Sequence, residues 1–273
     1  MFPKEDNTTI NQANTLVKLN NNKEISTSHF NLIPKQIHKL PCDIRSNLFA
    51  HLDKWYQCKI IKTKEKGSTY LRLYSDDTES KYDHSLLYIA IKKQNGSNYE
   101  IENVEHGEIV SVVKWNMFGN EFIVNDCNDN DILLMNYSFS IKGLTGPSKM
   151  KIVLPKREEG LAKEWFDNGK EKMYDKNKVF VIENKQPEYH KKYGCYVLKF
   201  KGRNVRKSVK NCQFVFSKCF ENNDVSIKDK NEVLLQFAEV SDNSYILDFK
   251  YPFSELTAFA VGVISSASKI LCE

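Results

Sequence analysis

Residues 251–273 read YPFSELTAFAVGVISSASKILCE, the longest apolar run in a chain whose mean hydropathy is −0.52. From Leu256 to Leu271 it is broken only by Thr257, Gly262, Ser265, Ser266, Ser268 and Lys269. Wound as a helix at ~1.5 Å per residue, this run spans roughly 24 Å, short of the ~30 Å hydrocarbon core of a bilayer. Its start is well signalled: Ser254 is an N-cap acceptor, Glu255 puts negative charge in the first turn, and Pro252 precedes the cap. At the helical period Leu256, Phe259, Val263 and Ile270 face one way, whereas Ala258, Val261, Ile264 and Leu271 fall on other sides. A helix apolar all round is a buried one, so the sequence predicts a helix at the centre of the fold. An amphipathic terminal helix lying on a sheet is the alternative.

What surrounds this helix is written upstream. After Trp55 come short period-two segments separated by polar, Gly- or Asn-bearing turns: YQCKIIK, TYLRLY, LLYIAIKK, GEIVSVVKW, NEFIVND, ILLMNYSFSI, KMKIVLP, GCYVLKFKG, CQFVFSKC, EVLLQFAEV and SYILDFKYP. That spacing belongs to antiparallel β proteins. In YVLKFKG, Tyr196, Leu198 and Phe200 oppose Lys199 and Lys201; in SYILDFK, Tyr245, Leu247 and Phe249 oppose Asp248 and Lys250. Each strand is expected to have one wet and one dry face. One further helix is predicted over 158–175, EEGLAKEWFDNGKEKMYD. Strands closing round an apolar lumen would take the terminal helix as their filling; a sandwich capped by it is the other arrangement compatible with the pattern.

Residues 1–28 are rich in Asn, Thr, Lys and Ser, a composition that cannot offset ordering entropy by burial. The expected division is a largely disordered segment 1–53, with a short helix at 41–52, and a folded domain 54–273. Lys+Arg 40 against Asp+Glu 35 gives a net charge of +5, which permits an anionic partner without requiring one. Seven scattered cysteines without a CxxC indicate neither a disulfide framework nor a zinc site. MFPKEDNTTINQ carries no apolar signal region and no Met-Gly start. The six histidines show no ligand spacing, and no nucleophile elbow or Gly-rich phosphate loop occurs. No catalytic residue, metal or cofactor is expected.

Two stretches carry a resemblance. FKGRNVRKSVKNCQFV, Phe200 to Val215, and AFAVGVISSASKILCE, Ala258 to Glu273, resemble the two C-terminal signatures of the tubby family. In the first, Phe200, Gly202, Arg203, Ser208, Val209, Lys210, Asn211 and Gln213 match; in the second, Ala258, Phe259, Ala260, Ser265, Lys269, Cys272 and Glu273 do. WNMFGNEFIVND, LTGPSKMKIVLP and NKQPEYHKKYGCYVLKF extend the likeness to about Tyr56–Glu273. Scramblase-like proteins share the architecture, but the two signatures point to tubby.

The resemblance implies a twelve-stranded closed antiparallel β-barrel threaded by a C-terminal hydrophobic α-helix. It also implies a non-enzymatic protein that binds phosphatidylinositol 4,5-bisphosphate and serves as a membrane adaptor. The family's lipid site uses a K-x-R-x-N strand, an Asn before a following strand, and the Arg of a G-P-R-K loop; several cations converge because two phosphates require them. Carried over, these positions are Val112, Lys114 and Asn116, then Leu86, then Ser148 followed by Lys149. The implied headgroup-binding residues are therefore Lys114, Asn116 and Lys149, with charge lost at Val112 and Ser148 and the Asn replaced at Leu86. Lys142 and Lys151 lie near, and Trp115 is a candidate for interfacial insertion. The acidic stretch DDTESKYDHS, with Asp76, Asp77, Glu79 and Asp83, works against an anionic ligand.

A second cationic cluster, Lys199, Lys201, Arg203, Arg206, Lys207 and Lys210, invites phosphate contact. No stacking aromatic lies between Arg203 and Lys210, so nucleic acid is a disfavoured partner. LPCDIRSNLFAHLD resembles the first helix of an F-box, without room for the remaining helices before the barrel. The leading expectation is a monomeric, phosphoinositide-dependent adaptor, cytoplasmic and peripheral at the inner face of the plasma membrane, with a nuclear phase left open. The alternatives are a tubby-fold protein-interaction module that docks through its N-terminal segment and, ranked lower, a DNA-binding transcription regulator.

Overall fold

A computed structural model describes residues 54–76, 85–138, 148–156, 178–192, 194–200, 202–217 and 231–267. The expected tail at 1–28 and the helices at 41–52 and 158–175 lie outside the described residues. Alternating apolar residues with β-branched and aromatic character form strands from Tyr56 onward. These are β1 (Tyr56–Glu65), β2 (Ser68–Ser75), β3 (Leu86–Lys92), β4 (Asn98–Asn103), β5 (Glu108–Trp115), β6 (Glu121–Asp126) and β7 (Asp131–Ser138). They continue as β8 (Lys149–Pro155), β9 (Val179–Asn184), β10 (Glu188–His190), β11 (Cys195–Val197), β12 (Cys212–Phe216), β13 (Leu235–Ser241) and β14 (Ser244–Phe249). Helix α1 follows at Glu255–Ala267.

Twelve of these strands close into one antiparallel barrel in the order β1-β14-β13-β12-β9-β8-β7-β6-β5-β4-β3-β2. Closure leaves the barrel itself without a free sheet edge. Each strand sends alternate residues inward: Ile60, Leu71, Leu73, Ile101, Phe237, Leu247 and Phe249 have no exposed surface. Helix α1 fills the lumen, with Ala258, Phe259, Ala260, Val261 and Val263 fully buried and Phe259 stacked on Tyr88 at 6.1 Å. Its start is the predicted one. Thr257 N donates to Ser254 Oγ (3.1 Å) while Ser254 N donates to Thr257 Oγ1 (2.9 Å), a reciprocal cap. Burial pushes the Glu255 carboxyl above its ordinary range, opposed by Lys54.

Three details differ from the strand pattern. NYEIEN (β4) and VFVIEN (β9) are barrel strands that the pattern did not single out. β4 sends only Tyr99 and Ile101 inward, and the short apolar run of β9 is buried on both faces. GCYVLKFKG is not a barrel strand: only Cys195–Val197 is extended, pairing with β10 in a separate hairpin, because β9 and β12 pair directly and leave no edge open. Nor does β14 have a wet face. All six of its residues are buried, Asp248 at 2 % exposure, since Arg203 lies over its outer side.

Candidate functional site

Strand alternation sets the two ends of the barrel. The turns β1–β2, β3–β4, β5–β6 and β13–β14 share one end with the start of β8, and the turns β4–β5 and β6–β7 lie at the other. Asn116 and Lys149 stand at the first end. Asn116 Nδ2 donates to Asn120 Oδ1 (2.8 Å) and Asn116 Oδ1 accepts from Asn120 N (3.2 Å), so this amide organises the β5–β6 turn. Lys149 opens β8 opposite Ser138, exposed, at a place held by Asn184, which accepts from Met150 N (2.8 Å) and donates to Ser148 O (2.9 Å).

Lys114 points outward from β5, half exposed, and its ammonium reaches back to Asp129 at 3.5 Å, toward the opposite end. With ~4.8 Å per strand and ~3.3 Å per residue, the register from β5 through β6 and β7 to β8 separates the Lys114 and Lys149 backbones by on the order of 15–20 Å. They share an outer face with the exposed Glu121, Asn136, Ser138 and Lys151 and do not converge on one point. Val112 faces outward between Glu100 and Asn125. Leu86 opens β3 opposite Tyr74, at the far end of the barrel from Asn116.

Trp115 is not the exposed aromatic that the sequence suggested. It plugs the lumen beside Tyr99 (6.0 Å) and Phe122 (6.5 Å), with Lys92 Nζ 5.0 Å over its ring. The exposed apolar residues of that turn are its neighbours: Met117 is 96 % exposed and Phe118 82 %. Two bulky apolar residues between strands, in WNMFGNEF, were the signal that sequence reasoning passed over.

Three members of the second cationic cluster, Arg203, Arg206 and Lys210, are engaged. Arg203 donates from Nε (2.9 Å) and Nη2 (2.5 Å) to the Asp248 carboxylate and from Nη1 to Asp76 (3.1 Å). Those bonds raise its already high pKa. Arg206 pairs with Asp242, and Lys210 donates to Ser266 O at 3.3 Å, where Lys62 also donates at 3.2 Å. Two ammonium groups thus share the Ser266 carbonyl in the last described turn of α1, where negative dipole charge collects. Among the described residues no group of His, Cys, Asp or Glu side chains is placed to hold a metal ion, and no helix is long and apolar enough to cross a membrane. Cys58 and Cys212 are buried, and desolvation pushes both thiols up to about 12, the wrong direction for nucleophiles.

The model of the Tub family matches residues 49–268, which takes in the whole barrel and α1. The chain belongs to the Tub family. It is 28% identical over 250 residues to "Protein king tubby 2" of Aedes aegypti, covering 80% of this chain and 57% of that one. It is 26% identical over 256 residues to "Tubby protein homolog 1" of Caenorhabditis elegans (80% and 58%). With "Tubby-related protein 3" of Mus musculus it shares 26% over 217 residues (67% and 44%). The chain thus spans about half the length of the curated relatives it matches. The Tub family match confirms the barrel and threaded helix that the C-terminal signatures implied.

Proposed function

We propose that this Tub family chain is a non-enzymatic, peripheral membrane protein that engages phosphoinositide-bearing membranes at the inner face of the plasma membrane and acts there as an adaptor. The observation that supports this reading is the family match over the whole barrel, joined to the exposed Lys149 at the end of the barrel that also carries Asn116. Lys149 is the principal phosphate contact, Lys114 contributes after releasing Asp129, and Asn116 holds the intervening turn in shape. Lys151, two residues along the same face, adds charge.

The test is co-sedimentation of the full chain with vesicles containing or lacking phosphatidylinositol 4,5-bisphosphate, at about 0.15 M salt, where screening beyond ~8 Å suppresses weak surface attraction. Selective binding that K114A/K149A abolishes is the expected result; equal binding by that variant rules out these contacts. The pairing of Lys114 with Asp129 and the loss of charge at Val112 and Ser148 favour a second reading, a barrel that works through protein contacts made by residues 1–53. Under that reading vesicle binding is absent, and deleting 1–53 removes partner capture while the barrel stays folded.

A further inference from the structure

The β5–β6 turn puts its two least polar residues farthest from the core. Met117 and Phe118 are 96 % and 82 % exposed, while the residues on either side are held: Gly119 N donates to Asn116 O (3.0 Å), Asn116 N to Glu121 O (3.0 Å) and Asn120 N to the Asn116 amide (3.2 Å). Gly119 takes a left-handed φ of +66° with open space where a Cβ would stand, so the turn closes without folding the apolar pair inward. Exposing a Phe and a Met together on a rigid tip forgoes burial that most turns avoid by using polar residues.

The charge of the barrel ends says what the tip meets. At the Met117 end the described turns and strand ends carry Lys64, Lys66, Lys92, Lys93, Lys149, Lys185 and Arg206 against Glu65, Glu100, Glu121 and Asp242, with Lys93 paired to Glu100 and Arg206 to Asp242. At the opposite end lie Asp76, Glu105, Glu108, Asp126, Asp129, Asp131, Glu232 and Glu255 against Lys54, Lys156, Lys178, Arg203 and Lys250. An anionic surface attracts the first end and repels the second, so it orients the barrel axis with the apolar tip leading.

We propose that Met117 and Phe118 are a membrane anchor, inserted at the headgroup–acyl boundary of an anionic bilayer while the surrounding lysines meet lipid phosphates and carboxylates. This deepens the membrane reading above and rests on it for the setting, but it assigns the depth and orientation of binding to residues outside the headgroup contacts. An exposed apolar pair beside cations is the usual composition of an interfacial anchor. Specific headgroup recognition is not needed for the tip to insert.

The experiment uses the full chain, the M117S/F118S variant and the F118W variant. Vesicles are made of phosphatidylcholine alone, with phosphatidylserine, or with phosphatidylserine and phosphatidylinositol 4,5-bisphosphate. The expected result is binding to anionic vesicles that M117S/F118S weakens about tenfold or more, with the thermal midpoint unchanged because both side chains are already mostly in solvent. Bromine in the acyl chains should quench F118W more than the parent chain. Undiminished binding by M117S/F118S, or no added quenching of F118W, overturns the anchor even if phosphoinositide selectivity is found. Binding that requires the tip but ignores phosphatidylinositol 4,5-bisphosphate keeps the anchor and removes the headgroup site. If the parent chain binds no vesicle, both fall. If M117S/F118S instead abolishes a dimer in solution and leaves vesicle binding intact, the tip belongs to a second copy of the chain.

Discussion

Arg203 shows what a single residue gains from tertiary context. In the sequence it stands among six cations between Lys199 and Lys210 and has the look of a solvated face. In the fold its guanidinium forks onto Asp248, a carboxylate on the outer side of β14 that also accepts from Gln236 Nε2 at 2.7 Å, and Gln236 in turn accepts from Gln213 at 3.2 Å. The Asp248 side chain is 3 % exposed and that of Arg203 17 %. Truncating one partner leaves a buried charge uncompensated, which costs about 3–5 kcal/mol. We therefore expect R203A to lower the unfolding free energy by about that much in urea denaturation, and R203K, which keeps charge without the fork, to lie between. A loss within 1 kcal/mol, roughly that of an ordinary surface pair, would show that Asp248 is reached by solvent.

At the scale of the element, α1 was the most legible part of the chain, and its boundaries explain why. An apolar helix of this length starts where Ser254 and Thr257 can cap it, and both capping partners are local in sequence. Near its other end the Ser266 carbonyl accepts from Lys62 and Lys210, far away along the chain, which no local pattern can disclose. The same holds for its midpoint. A Cβ added at Gly262 would stand 2.6 Å from Ile60 Cδ1, so a side chain there requires the tip of Ile60 to move within the packed lumen. G262A should gain the ~1 kcal/mol of helix propensity that Ala has over Gly but lose about 1–3 kcal/mol to overpacking, a net destabilisation of up to about 2 kcal/mol. Introducing I60V in the same chain should recover part of the loss, and a double-mutant cycle by chemical denaturation measures the coupling. Simple additivity of G262A and I60V would contradict the contact.

For the whole molecule, closure of the barrel buries titratable groups that an open sheet would leave wet. Desolvation is the leading cause that carries Cys58 and Cys212 from an ordinary 9.0, and Tyr88 and Tyr99 from 10.0, up to about 12. Between those values the unfolded chain has released these protons and the folded chain still holds them. The native state then binds more protons, so stability falls as pH rises. Thermal midpoints should accordingly be insensitive to these four groups below pH 9 and decline between pH 9 and 12. The C212A variant should soften that decline, and an unchanged slope would mean that Cys212 is not a contributor. Thiol reagents should label Cys58 and Cys212 only on unfolding.

The sequence alone determined that strands of period two accompany an all-round apolar helix, where that helix starts, and, through its two C-terminal signatures, the resemblance to the Tub family. Each of these is written in local spacing or contiguous signatures, so a linear reading recovers it. Tertiary structure alone decided which strands close the barrel, why GCYVLKFKG is excluded from it, and which lysines and arginines are already paired. It also decided that Lys114 and Lys149 stand three strands apart while Met117 and Phe118 lead one end of the barrel. Those properties depend on register and on partners distant in the chain, and burial is a property of the closed surface, not of the residue that carries it.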